Sequence, residues 1–206
     1  MRQNLSPDEL AARLAPHRER LIAQPKTSVV SRLMRVASVI TDAFVEVGAS
    51  PPVVVGGLAV ETYTAGGYTT KDIDMIAEDP RLETAVMTAL GFRKKPGVRH
   101  YEHPSLDVMV EFPTGPLEGS SERIADVQLE GGGRVYVIGV EDIILDRLAA
   151  YEHWDHRRAN SEDATQAVSL IVAHRARIDW DYLQQTADLR GLSDALRELI
   201  VRSDKY

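Results

Sequence analysis

Cysteine is absent from the 206 residues. That excludes a disulfide framework, a thiolate metal centre and a cysteine nucleophile together. An excess of basic residues is lacking too. The formal net charge is -7, which argues against a surface that coats DNA or RNA through overall charge. No run approaches the roughly 18 apolar residues of a membrane span. The opening MRQNLSPDELAARLAPHRER is charged and helix-like rather than carrying an apolar export core. A soluble cytoplasmic protein with no membrane partner is therefore expected. Also missing are an internal repeat, a low-complexity tract, a P-loop spacing and a G-x-G-x-x-G fingerprint.

What is present is a chain with 44% apolar residues, enough to bury a core of its own. Changes of hydrophobic period mark three zones, 1–49, 50–139 and 140–206. The first reads as helices: Ser6 stands as an N-cap before Pro7, Pro16 is placed to kink or split the helix, and the run from Thr27 ends at Gly48. The second alternates strand 52–55, helix 58–65, strand 69–77 and helix 80–90. Hairpin-like pairs follow around His103-Pro104 and Gly131-Gly132-Gly133. The third reads as helices with breaks near Ala159-Asn160, Ile178-Asp179 and Gly191. The fold class expected is α/β (α+β), a mixed sheet with flanking helices and a helical C-terminal region.

Within TTKDIDMIAE, Asp72 and Asp74 fall two apart in an otherwise apolar strand. Positions i and i+2 share a strand face at about 7 Å, so two dry carboxylates there repel unless something positive sits between them. In SLDVMVEF the same alternation sets Asp107, Met109 and Glu111 on one face. Were that strand beside the first, three carboxylates would converge. Oxygen-only ligands suit magnesium or manganese, which take part of their shell from water and substrate phosphates. Upstream, VVVGGLAVETYT reads as a strand, a turn at Gly56 and Gly57 and a helix start, a place where backbone N–H groups can approach phosphates. FRKKPGVRH, with Arg93, Lys94, Lys95 and Arg99, reads as a solvated charge run beside a turn. His153 and His156 are three apart, but no third ligand accompanies them, so zinc is not expected.

VVVGGLAVETYTAGGYTTKDIDMIAE resembles the signature of the DNA polymerase beta-like nucleotidyltransferase superfamily: strand, Gly-Gly or Gly-Ser, short helix, Asp-x-Asp, then a third acid on a later strand. Gly57 stands where many members carry serine. VEDIILDRLAAYEHWDHRRANSEDATQAVSLI is similar to a segment of AbiEii-type toxins and related bacterial proteins, in which a basic residue precedes an aspartate that opens the next helix. The resemblance covers about residues 50–175 and implies a nucleotidyltransferase fold. It implies Asp72, Asp74 and Asp107 as metal ligands and catalytic acids, with Mg2+ or Mn2+ as cofactor. Gly56, Gly57, Thr70, Arg147 and Asp163 are implied on the nucleotide.

The pattern of the residues bears on Arg147 separately. Ile143, Ile144, Leu148, Tyr151 and Trp154 form an apolar arc with Arg147 near its middle, so this cation needs an anion, either a phosphate or a structural carboxylate. Asp163 follows Asn160 at a capping-box-like spacing, a second reading of its position. The expected activity is metal-dependent transfer of a nucleoside monophosphate from an NTP to RNA (tRNA among them), protein or a small molecule. A toxin–antitoxin or defence setting, with a cognate antitoxin or toxin as partner, comes with the resemblance. The alternative is a catalytically silent binding protein or antitoxin on the same fold.

Overall fold

The computed structural model describes residues 5–23, 28–65, 70–154 and 160–206. Thr69, His156 and Ala159, on which parts of the sequence reading fall, lie outside these. The described chain divides into two compact units, the first drawn from residues 1–58, 69–117 and 124–137, the second from 59–68, 118–123 and 138–206.

In the first unit, helix α1 (Pro7–Ile22) opens with a full capping box: the Ser6 side chain accepts from the Glu9 N–H, and the Glu9 carboxylate accepts from the Ser6 N–H at 2.8 Å. The sequence expects a kink or break at Pro16, yet α1 runs through it unbroken. Leu14 and Leu21, on either side of the proline, are fully buried. Their burial offsets the missing backbone hydrogen bond. Helix α2 (Val29–Glu46) buries Leu33, Val36, Ala37, Ile40, Ala43 and Phe44, the i, i+3, i+4, i+7 stripe of a helix lying on a core. It stops at Gly48, whose φ is +75°.

Strand β1 (Val53–Val55) leads directly into helix α3 (Gly56–Thr64), and the division between the units falls within α3, after Leu58. Then come β2 (Asp72–Ile76), α4 (Pro80–Ala89), β3 (Arg93–Lys94), β4 (His100–His103), β5 (Leu106–Glu111), β6 (Ala125–Gln128) and β7 (Arg134–Val137). The seven strands form one sheet in the order β3-β4-β5-β2-β1-β7-β6. It is mixed: β2 pairs parallel with β5 and β1 parallel with β7, while the other neighbours are antiparallel. On one face Val54, Ile73, Met75, Tyr101, Val108, Val110, Val135 and Val137 are buried, and α2 lies against β2 and β7. Alternation then sets Asp72 and Asp74 on the other face, half-buried.

The second unit holds helices α5 (Val140–His153), α6 (Glu162–His174), α7 (Trp180–Leu189) and α8 (Ser193–Ser203). Its core is Ile143, Ile144, Leu148, Tyr151, Leu170, Ile171, Leu183 and Leu199. Asp142, wholly buried, accepts from the Ser120 N–H at 3.0 Å and the Tyr182 hydroxyl at 2.6 Å, so its carboxylate is satisfied inside the unit. Arg123 stacks 3.8 Å over the Tyr182 ring and pairs with Asp179 at 2.5 Å. That ion pair and the Tyr182 N–H, the larger cause, hold the Asp179 carboxyl below the usual range. Ser161 caps α6, its hydroxyl accepting from the Ala164 N–H at 3.1 Å. The cap lies one residue past Asn160, so Asp163 is not half of a capping box with it. Among the described residues no helix is long and apolar enough to cross a membrane.

Candidate active site

The register of three adjacent strands builds the site. Val55, the last residue of β1, faces Asp74 on β2, and Asp74 in turn faces Glu111 on β5. Asp72 faces Met109. Register partners point to the same side of a sheet, so Asp72, Asp74 and Glu111 share the face opposite the apolar core. Met109 occupies the fourth position of the square.

Gly56 follows Val55 and lies directly over Asp74. Its φ is +60°, and a Cβ built on it would come 2.2 Å from Asp74 Oδ2. Only glycine lets the turn approach the carboxylate this closely, and only glycine takes this φ without strain. Thr70, buried, donates its hydroxyl to Asp72 Oδ1 at 2.7 Å. The contact orients one acid of the pair. Glu111 Oε1 lies 3.2 Å from Arg99 Nε, so a cation from the FRKKPGVRH run, read from sequence as a solvated face, reaches the acidic group.

Asp107 sits elsewhere. The β4–β5 hairpin shifts register between Glu102 and His103: Glu102 faces Met109, but His103 faces Leu106, which leaves Asp107 and Val108 as extra residues on β5. This bulge lies beyond the start of β2. Asp107 is therefore four residues along β5 from Glu111, its side chain fully exposed, with Arg32 Nη2 at 3.9 Å. The structure brings Glu111 beside Asp74 and does not bring Asp107 there. Alternation along β5 makes the two acids equivalent, and only the pairing with β2 separates them.

Arg147 and Asp163, in the second unit, meet each other. Arg147 Nη1 donates to Asp163 Oδ1 at 2.9 Å and to Gln166 Oε1 at 3.4 Å, and the same guanidinium bonds Asp146. Of the two anions that the sequence leaves open for Arg147, these contacts are to structural carboxylates.

Among the described residues no three acidic or histidine side chains are gathered closely enough to hold a metal ion by themselves. Asp72 and Asp74 nevertheless fit a magnesium or manganese ion in donor chemistry. Both are carboxylates at the open face of a strand, and the glycine turn leaves Asp74 the room that a Cβ would fill. The rest of an octahedral oxygen shell is what water and phosphate oxygens supply.

The family model described as "Nucleotidyltransferase of unknown function (DUF6036)" matches residues 31–198, from within α2 to within α8. The chain belongs to this family. The match spans both units and includes every residue of the acidic face. No curated protein sequence matches this nucleotidyltransferase-family chain. Among solved structures, it is similar to the solution structure of the antibiotic-resistance factor ANT(2'')-Ia. There the TM-score is 0.50 at 15% identity, over 81% of this chain and 91% of that one. It is similar also to the crystal structure of an antigenic nucleotidyltransferase-like protein from Paracoccidioides brasiliensis, with a TM-score of 0.51 at 18% identity, over 84% and 95%. Both likenesses are of fold.

Proposed function

We propose that this protein transfers a nucleoside monophosphate from an NTP to a hydroxyl of an acceptor, with the acids of β2 and β5 as its chemical centre. The observation that carries the reading is the Asp74 environment: a glycine turn packed against the carboxylate, Asp72 on the same strand face and Glu111 in register. Two carboxylates on one half-buried face of an apolar strand, with a glycine turn packed against one of them, suit a metal-bound triphosphate.

In that reaction the acceptor oxygen forms a bond to the α-phosphorus, the α–β bridging P–O bond breaks, and pyrophosphate leaves with the electron pair. A bound Mg2+ or Mn2+ would supply charge neutralisation for the triphosphate. Asp72 and Asp74 would hold it, with Thr70 orienting Asp72 through the 2.7 Å hydrogen bond. Glu111, in register with Asp74, would receive the hydroxyl proton. Gly56 and Gly57, at the start of α3, offer backbone N–H groups to the phosphates. Positioning and charge stabilisation supply most of the rate in such a site. The sequence resemblance adds RNA, protein or a small molecule as acceptor, and a toxin–antitoxin or defence setting.

The test is a melting curve with and without magnesium plus NTP. Wild type should rise, since a ligand that binds only the folded state stabilises it. The Asp72→Asn, Asp74→Asn double variant should not. An equal rise in both would sink the reading. A second reading, nucleotide binding without turnover, is favoured by the Arg99–Glu111 ion pair, which engages the carboxylate that would take the proton. It expects the same rise but no labelled product when NTP is incubated with RNA, protein and small-molecule acceptors.

A further inference from the structure

A cavity of about 540 Å³ opens in the first unit, between the N-terminal turn of α2 and the bulged start of β5. Val29, Arg32, Lys71, His103, Asp107 and Met109 are among its walls. It adjoins the acidic face, because Lys71 precedes Asp72 in the chain and Met109 is its register partner.

Behind this wall one Arg32 atom lacks a partner among the described residues. Arg32 Nε is buried and makes no hydrogen bond among the described residues. A guanidinium N–H removed from water without an acceptor is costly, and native structures rarely keep one without a use. The cation's one ion pair among the described residues, Nη2 to Asp107 at 3.9 Å, is too long for a hydrogen bond. The other acid of the wall, Glu102, is already engaged by Lys95 at 2.8 Å and His100 at 3.2 Å. Arg32 and Lys71 together thus outweigh the one acid left to face them.

We propose that this cavity binds an oxyanion group, a phosphomonoester or carboxylate, with Arg32 as its anchor, Lys71 as its second cation and Asp107 as a placeholder that the ligand displaces. Asp107 meets Arg32 Nη2 from too far away to hydrogen-bond it, so an oxygen of the anion has that donor to take, and the enclosed Nε–H beside it reports the contact. As the neighbour of Asp72, the cavity is the place for the acceptor's anionic group, a step that rests on the nucleotidyltransfer reading. Binding of the anion itself does not rest on it.

The experiment follows the Arg32 Nε–H resonance of 15N-arginine-labelled protein, free of nucleotide and magnesium, during titration with inorganic phosphate and, separately, with acetate. A saturable shift with either supports the site, and the tighter of the two names the group. Asp107→Asn should tighten that binding about threefold, on the scale of one partly screened charge. Lys71→Ala should weaken it while leaving the Arg32 resonance in place to be read. No saturable shift of Arg32 Nε–H with either anion overturns the proposal, as does an Asp107→Asn variant that binds no more tightly than wild type. Because no NTP is present, failure here is separate from failure of the catalytic reading, which the magnesium–NTP melting curves test.

Discussion

Glu111 and Asp107 lie four residues apart on one strand and on one face by alternation, yet only Glu111 has Asp74 as its register partner. The difference is the register of β5 on β2, which begins at Met109 and leaves Asp107 outside it. If Glu111 receives the acceptor proton, Glu111→Gln should lower nucleotidyl transfer by about 10²–10⁴, the usual range for loss of a general base. Asp107→Asn should stay within about tenfold of wild type. Initial rates of pyrophosphate release measure both, and the reverse ordering would return the third-acid role to Asp107. Asp72, Asp74 and the double glycine were legible from a short stretch, because their spacing and apolar setting are local. Which acid of β5 lies beside Asp74 was not, since that depends on how β5 pairs with β2. Arg32 was equally hidden: nothing in its helix shows that its Nε would be enclosed without an acceptor.

The elements followed their local signals closely, and where they departed the cause lay in packing. Ser6, the glycine stop at Gly48 and both hairpins are written in residue types that few other conformations favour. Strand β3 escaped notice because two residues, Arg93 and Lys94, carry no alternation; pairing with Glu102 and Tyr101 on β4 makes them a strand. For α6, Ser161 and Asn160 are both good caps, and the choice of Ser161 leaves Asp163 in the first turn, within reach of Arg147. That ion pair joins α5 to α6 with both side chains mostly buried. Arg147→Ala should therefore cost about 1.5–3 kcal/mol of stability, the range for hydrogen bonds to charged groups. Denaturant unfolding measures it, alongside a titration with NTP. Lowered stability with unchanged NTP affinity assigns Arg147 to structure, whereas tenfold weaker NTP binding at unchanged stability assigns it to the phosphates.

For the molecule as a whole, acid sensitivity should begin well above the carboxylate range, through His103. Burial, with Arg18 and Arg93 nearby as lesser causes, pushes this imidazole below its ordinary value of 6.5. Its Nδ1 accepts the Ser105 N–H at 3.2 Å, a bond that only an unprotonated Nδ1 can make, and Phe92 packs edge-on at 5.1 Å. The unfolded chain takes up this proton near pH 6.5 and the folded chain only at lower pH. The stabilisation is thus complete above 6.5 and declines as pH falls from there towards the folded value. Melting temperatures between pH 7.5 and 5 should drop in wild type and drop less in His103→Leu. Equal slopes would show that other groups govern the window. The mixed sheet with flanking helices was readable from alternating periods. The division into two units was not, because it cuts across the sequence zones: α3 begins in one unit and ends in the other, and residues 118–123 leave the sheet-bearing unit between β5 and β6.

The bulge at Asp107 and Val108 also acts as a mechanical buffer. Ordinarily a residue gained or lost at the tip of a hairpin would propagate along the strand and turn every side chain to the opposite face. Here the pairing that fixes Glu111, with Asp74 of β2 and His100 of β4, lies beyond the irregularity, and the slack lies between it and the turn at Pro104 and Ser105. The tip of this hairpin can be lengthened, shortened or exchanged while the acid facing Asp74 keeps its place, so the loop beside the cavity is free to diverge and the carboxylates are not.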